Sequence, residues 1–155
     1  MSGNVERNEP LTKSPQVVVV GGGPAGLASA VALGSMGIEV LVLERSTWPR
    51  DKVCGEGLMP VGVESLQRLG VFDRIDPEHL RAFRGIRWIG NTGETAEADF
   101  ASGPGYGIRR TALSRALFEV ASELPSVTLS PNSYLLRLDV SDEVVTLRVR
   151  RSGGV

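Results

Sequence analysis

The stretch from Gln16 to Glu44 constrains the fold more than any other part of this chain. Four valines at positions 17–20 lead into the glycine-rich loop 21–26. An apolar helix-like segment follows, and a second strand-like stretch begins at Ile38, is apolar from Val40 to Leu43 and ends at Glu44. Both runs are apolar at successive positions, so both faces of each strand must be covered, as in a parallel sheet between helices. The pattern predicts a buried strand–helix–strand unit and an α/β fold class.

Three of the four glycines in this loop have a predicted task. Gly21 allows the tight turn after the strand, Gly23 leaves no Cβ between the backbone and a pyrophosphate, and Gly26 lets the helix pack closely. Pro24 falls in the first helical turn, where the N–H that proline lacks would have no partner within the helix. The positive end of the helix dipole at this turn attracts phosphate. Glu44 ends the second strand, where a carboxylate accepts hydrogen bonds from a ribose diol. The motif therefore predicts an adenine dinucleotide site.

Two other interpretations of the stretch are weaker. A glycine loop can be an ordinary turn, but here the strand, the helix and the terminal acid occur in the expected order. The segment between Lys13 and Glu39 has no charged residue, as in a membrane span, yet three glycines and a proline would interrupt such a helix. The mixed charges of the first residues do not resemble a signal peptide. We therefore expect no transmembrane segment.

The bulk composition excludes several classes of function. The net charge is −1 over 155 residues, without the basic excess that nucleic acid or anionic lipid would require. One cysteine and one histidine can form neither an internal disulfide nor a zinc cluster, so we expect no metal site. A cytoplasmic location is the default expectation, and the oligomeric state is undetermined.

The rest of the chain alternates helical and extended patterns. Residues 1–15 form a polar tail, and the loop 45–60 is long enough to carry function. A helix is predicted from Pro60 to a C-terminal cap at Gly70, and a hairpin is predicted within residues 80–105 around the turn 90–93.

The C-terminal part of the chain resumes with a helix. Thr111 is the predicted N-cap, and Pro125 ends the helix. Three extended runs follow, Val127–Leu129, Tyr134–Val140 and Val144–Arg150, which predict an antiparallel β-meander.

Three blocks together resemble the FAD-dependent oxidoreductases of the p-hydroxybenzoate hydroxylase fold, and among them most closely the geranylgeranyl reductase family. They are the glycine loop with Glu44; the segment Lys52-x-Cys54-Gly55-Glu56-Gly57-Leu58-x-Pro60; and the segment Gly107-Ile108-Arg109-Arg110-Thr111-Ala112-Leu113, which continues to Leu117. The resemblance spans about residues 16–136. It implies a Rossmann-like FAD-binding domain over residues 16–155, with part of a β-rich, substrate-side insertion at 80–105.

The resemblance also implies contacts with FAD. Glu44 would bind the adenosine ribose, Arg45 would lie beside the adenine, and Leu135 would lie under the adenine through its backbone. Arg110 would face the phosphates or the ribityl chain, where its guanidinium pairs well with phosphate oxygens. The full set of expected cofactor-binding residues is Gly21, Gly23, Ala25, Gly26, Glu44, Arg45, Cys54, Gly55, Gly57, Arg110 and Leu135.

Several of these residues have plainer alternatives. Cys54 would lie along the flavin or be a small buried hydrophobe. Arg109 and Arg110 compete for one role, and the leucine spacing favours Arg110. His79 is expected to be a solvated side chain and not a base. Trp48 and Trp88 are expected to pack and not to stack on a ligand.

The implied reaction stays open between two flavin chemistries. One is reduction of an isoprenoid double bond, and the other is oxygen-dependent hydroxylation of an aromatic substrate. NADPH or another reductant would supply electrons to a small apolar or aromatic substrate, and no catalytic residue is identified. A nicotinamide dehydrogenase would have no reason to carry the segment 52–60. We expect the chain to be the N-terminal portion of a longer enzyme and inactive alone; a non-catalytic or truncated dinucleotide-binding module is the alternative.

Overall fold

The computed structural model describes residues 14–49, 51 and 56–151. The chain folds into two compact units. One unit extends to Trp48 and resumes at Phe118, and the other spans Pro49–Leu117. None of the helices in the described ranges is long and apolar enough to cross a membrane.

The first three elements, a strand, a helix and a second strand, follow the order that the sequence predicts, whereas the predicted loop 45–60 contains a short strand. In chain order the strands and α-helices are β1 (Val17–Val20), α1 (Pro24–Ser35), β2 (Val40–Leu43), β3 (Gly57–Leu58), α2 (Pro60–Arg68), β4 (Leu80–Phe83), β5 (Gly85–Ile89), β6 (Thr95–Asp99), β7 (Gly105–Ile108), α3 (Arg110–Glu123), β8 (Val127–Ser130), β9 (Ser133–Val140) and β10 (Val145–Arg151). Two short 3-10 helices, Phe72–Arg74 and Pro77–His79, lie between α2 and β4.

A parallel sheet forms the centre of the first unit. Its strand order is β1-β2-β8, with Val17 beside Val40 and Val40 beside Val127. Every residue of β2 is buried, which explains why its sequence is continuously apolar. Ala30 of α1 packs with Val40 and Val42 in the core. The predicted strand–helix–strand unit and the mixed α/β class are both confirmed.

The prediction of a three-stranded meander is wrong in one strand. Val127–Ser130 pairs in parallel with β2 and completes the buried sheet. Only β9 and β10 pair antiparallel, with a register shift between Arg148 and Val149. The short apolar run of β8 is compatible with a parallel or an antiparallel sheet. Because the second edge of β2 has backbone groups that need hydrogen-bond partners, β8 pairs with β2 in the parallel sheet.

The second unit is built on antiparallel strands and α2. Helix α2 begins at Pro60 and ends before Gly70, whose φ of 67° forms the predicted C-terminal turn. Strands β5 and β6 form the predicted hairpin, with Trp88 opposite Ala96. A sheet with the order β3-β7-β4 was not predicted.

Two local predictions in the later part of the chain are wrong. Helix α3 begins at Arg110, so Thr111 lies inside the first turn and is not the N-cap. Trp88 is 74% exposed and does not pack in a core. Its hairpin has only two strands in the described chain, so one face of the side-chain ladder stays open to solvent.

Candidate dinucleotide site

The glycine loop connects β1 to α1 through a turn that only glycine adopts easily. Gly21 has a φ of 105°, and its N–H donates to the carbonyl of Leu43 at 2.8 Å, which ties the loop to the end of β2. A Cβ on Gly26 would lie 1.9 Å from the carbonyl oxygen of Gly21. The predicted turn at Gly21 and the predicted close packing at Gly26 are thus both confirmed.

The outer side of the same loop is open. A Cβ placed on Gly21 or Gly23 would meet no atom within 4 Å. Gly23 is the N-cap of α1, and in the described chain neither a side-chain cap nor an acidic first-turn residue occupies this end. The N–H of Leu27 donates to the Gly23 carbonyl at 2.9 Å, so the N–H groups of Ala25 and Gly26 precede the first intrahelical bond. This cradle fits a pyrophosphate.

Glu44 is buried directly behind the loop. Its side chain is 1% exposed, and its carboxylate accepts hydrogen bonds from the N–H of Gly22 at 2.8 Å and of Ser46 at 2.9 Å. The ribose contact stays a prediction. The structure adds a second task that the sequence did not indicate, because Glu44 holds the glycine loop in place.

Trp48 fixes the loop from another side. Its Nε1–H donates to the carbonyl of Gly22 at 2.8 Å, and a Cβ on Gly22 would lie 2.2 Å from the indole ring. The indole also packs against Phe118, with the ring centroids 5.4 Å apart. Trp48 is a packing residue, as predicted. Its contact with Gly22 was missed, because a separation of 26 residues leaves no local pattern.

Two further predicted residues belong to segments that meet beside Glu44. Arg45 is exposed and directly follows Glu44. The N–H of Ser133, at the start of β9, donates to the Glu44 carbonyl at 2.9 Å, and Leu135 follows two positions later in the same strand. Leu135 is half-buried and pairs with Val149 at the register shift. The first unit therefore brings Arg45 and Leu135 to segments next to Glu44, and their cofactor contacts stay predictions.

The second unit holds the remaining predicted residues. Cys54 and Gly55 lie outside the described residues. Gly57 lies in β3 opposite Gly107 of β7. Arg110 is the first residue of α3 and is half-buried, whereas Arg109 is exposed.

Glu56, which the sequence did not single out, contacts the start of α3. Its carboxylate Oε1 accepts a hydrogen bond from the N–H of Arg110 at 3.0 Å. Its carbonyl accepts one from the N–H of Ile108 at 2.7 Å. No sequence signal could have revealed these contacts, because the two segments are more than fifty residues apart.

A cavity of about 550 Å³ also lies in the second unit. Its lining includes Arg81 and Arg109 together with Glu56 and Glu78, so its formal charges balance. His79 lines it as well, with Nε2 3.6 Å from Oε1 of Glu78, and its side chain is 33% exposed. This partial exposure is compatible with the predicted solvated side chain, and that His79 is not a base stays a prediction. The balanced lining does not favour an anionic ligand.

Comparison with known proteins supports the assignment of this loop. The model of a family described as "FAD binding domain" matches residues 14–154. A menaquinone reductase from Mycobacterium tuberculosis is 39% identical over 139 residues, which cover 86% of this chain and 33% of the relative. The chain thus spans about a third of the length of this relative.

Solved structures of flavin-dependent enzymes share the fold. The p-nitrophenol 4-monooxygenase PnpA from Pseudomonas putida is 28% identical with a TM-score of 0.74, covering 86% of this chain and 35% of that one. The myxobacterial chondrochloren halogenase CndH is 25% identical with a TM-score of 0.78, covering 91% and 34%. With the family match extending over nearly its whole length and an open glycine cradle at α1, the chain belongs to the FAD-binding domain family of the flavin-dependent monooxygenases and oxidoreductases.

Proposed function

We propose that this chain supplies the FAD-binding part of a flavin-dependent reductase that acts on an isoprenoid-type substrate. The observation that carries the FAD-binding part is the cradle at Gly21–Gly26, which combines open space in front of two glycines with an uncapped helix N-terminus in the described structure. When bound, FAD would supply two-electron chemistry that no side chain of this chain provides.

Each predicted residue has a binding task in this proposal. The pyrophosphate would lie at the positive end of α1, where it would be lined by Gly21, Gly23, Ala25 and Gly26. Glu44 would bind the adenosine ribose while it keeps its bonds to the loop. Arg45 and Leu135 would contact the adenine; Cys54, Gly55 and Gly57 would contact the flavin side; and Arg110 would pair with phosphate oxygens or the ribityl chain.

Two similarities favour a reductase. The 39% identical relative is named a menaquinone reductase, and the segment from Lys52 to Pro60 resembles that of the geranylgeranyl reductases. The substrate would therefore be a small apolar molecule that carries an isoprenoid double bond. A reduced nicotinamide or another reductant would supply the electrons.

A monooxygenase is the second candidate. It is favoured by the similarity to the p-nitrophenol 4-monooxygenase, which shares both sequence and fold with this chain. The same FAD-binding residues would serve either reaction, so the choice depends on the substrate side.

The FAD-binding part is tested by titrating the purified chain with FAD and with NAD. We expect tighter binding of FAD, and we expect Gly23→Ala to weaken it because the added methyl group enters the pyrophosphate space. Glu119→Ala, at an exposed position of α3 outside the loop, serves as the control and should bind FAD as the unaltered chain does. Tighter binding of NAD would exclude the proposal.

The reaction is tested on a longer protein that contains this chain as its FAD-binding part and has about the length of the menaquinone reductase relative. A reductase should saturate an isoprenoid double bond in the absence of oxygen, as mass spectrometry of the product would detect. Consumption of oxygen with incorporation of one oxygen atom into an aromatic substrate would instead select the monooxygenase.

A further inference from the structure

The segment before β3 holds the first turn of α3. Glu56 accepts one hydrogen bond from the N–H of Ile108 through its carbonyl and one from the N–H of Arg110 through its carboxylate. Gly57 then pairs with Gly107 in the adjacent sheet. A single residue therefore contacts the chain on both sides of Arg109, where β7 ends and α3 begins.

The sequence around the start of α3 offers no ordinary N-cap. Arg109, which precedes the helix, has no side-chain oxygen, and Thr111 is already inside the first turn. An acceptor at a helix N-terminus satisfies an N–H that has no intrahelical partner, and a negative charge there interacts favourably with the helix dipole. The Glu56 carboxylate supplies both from a position 54 residues earlier in the chain.

The backbone of Glu56 is in an unusual conformation. Its φ is 52°, and among the described residues only Asn132 is another non-glycine residue with positive φ. Asparagine tolerates this region because of its short polar side chain, whereas glutamate has no such advantage. A glycine would fit the backbone better but could not reach the helix. The strained conformation thus coincides with a side-chain contact that glycine would lose.

From these contacts we infer that Glu56 is a positioning residue for Arg110. The bond to the Arg110 N–H fixes the first residue of α3 and with it the direction in which the Arg110 side chain leaves the backbone. A guanidinium pairs strongly with phosphate only in a narrow geometry, so a shift of this backbone weakens the pairing. This inference rests on the proposed function, which assigns Arg110 to FAD.

The test measures the FAD dissociation constant of the chain by quenching of flavin fluorescence. Glu56→Gln keeps the acceptor oxygen, Glu56→Asp keeps the charge but is one methylene too short, and Glu56→Ala removes both. All three keep a side chain at the same strained backbone position. We expect the Gln variant to bind FAD within about twofold of the unaltered chain. The Asp and Ala variants should bind about fivefold more weakly, because the shifted Arg110 pairs less well with phosphate.

The same substitutions are then repeated with Arg110→Ala. If Glu56 acts through Arg110, they should now change the dissociation constant less than about twofold. Glu64→Ala, at an exposed glutamate of α2, is the matched control and should leave FAD binding unchanged. Far-UV circular dichroism checks folding, and the Gln and Asp variants decide the test if the Ala variant is unfolded.

The outcomes separate the two proposals. Unchanged binding in the Ala and Asp variants, beside weak binding in Arg110→Ala, overturns the positioning role and leaves the proposed function intact. An equal loss with and without Arg110 also overturns it, because the effect is then on the fold alone. Unaltered FAD binding by Arg110→Ala, or no FAD binding by the unaltered chain, overturns the assignment of Arg110 and the positioning role with it.

Discussion

Gly22 and Gly23 are adjacent in the loop but face different surroundings. A Cβ on Gly22 would collide with the indole of Trp48, whereas a Cβ on Gly23 would enter open space. Gly23 also has an ordinary φ of −75°, which alanine adopts without strain. The first glycine is therefore required by the packing of the protein, and the second is available for a ligand.

Alanine substitutions at these two glycines should have different effects. Gly22→Ala forces Trp48 to move, and we expect it to lower the free energy of unfolding by about 1–3 kcal/mol. Gly23→Ala should change that free energy by less than about 1 kcal/mol, because the poorer cap and the stiffer unfolded chain offset each other. It should nevertheless weaken FAD binding. Urea denaturation and FAD titration of both variants check the prediction, and equal stability of the two would contradict it.

Glu44 combines a structural task with its predicted ligand contact. Glu44→Ala leaves the buried N–H of Gly22 without its acceptor, so we expect a loss of about 1–3 kcal/mol in the free energy of unfolding together with weaker FAD binding. Glu119→Ala, at an exposed position of α3, is the control and should change stability by less than about 0.5 kcal/mol. Unchanged stability of Glu44→Ala in urea denaturation would show that the bond contributes nothing.

Single-residue chemistry was predictable from sequence only where the partner is close in the chain. The turn at Gly21 and the packing of Gly26 follow from spacing within one motif. The hydrogen bonds from Glu44 and Trp48 to Gly22 join residues more than twenty positions apart. The presence of a glutamate or a tryptophan does not indicate which backbone group it binds. The hydrogen bond between the N–H of Arg110 and Glu56 was unpredictable for the same reason.

At the scale of elements, the first residue of α3 can be tested by substitution. The structure starts it at Arg110, so Thr111→Ala should change the free energy of unfolding by less than about 0.5 kcal/mol, since alanine is the better residue inside a helix. Glu56→Ala should lower it by about 1 kcal/mol through loss of the cap. Urea denaturation of both variants decides the matter. The reverse order of effects would restore Thr111 as the N-cap.

Long, strongly patterned elements were predictable, and short pairings were not. The continuous apolar runs predict β1 and β2, and a turn rich in glycine predicts the hairpin of β5 and β6. Strands β3 and β7 contain glycines and only two to four residues, so they show neither alternation nor an apolar run. The β8 segment is equally short, and its parallel partner was set by the open edge of β2 and not by its own sequence.

At the scale of the whole molecule, the chain divides into units of different character. The first unit has a parallel sheet with a fully buried central strand and carries the glycine loop. In the second unit the hairpin of β5 and β6 exposes Trp88 and Ile89 and has only two strands in the described chain. A two-stranded sheet is marginally stable alone, so this hairpin should open locally without unfolding of the rest.

The difference in local stability between the glycine loop and the hairpin predicts which amides FAD will protect from hydrogen exchange. A ligand that binds the folded state at 100 times its dissociation constant adds about 2.7 kcal/mol to its stability. Amides of residues 21–27 and 44–46 should therefore exchange more slowly with FAD, because the loop and the end of β2 form the proposed site. Amides of residues 85–99 should be unaffected, since they exchange through local opening that leaves the ligand bound. NAD at the same concentration is the control ligand and should protect the loop less. Equal slowing across both regions would show that the hairpin does not open independently, and an unprotected loop would remove the glycine cradle from the FAD site.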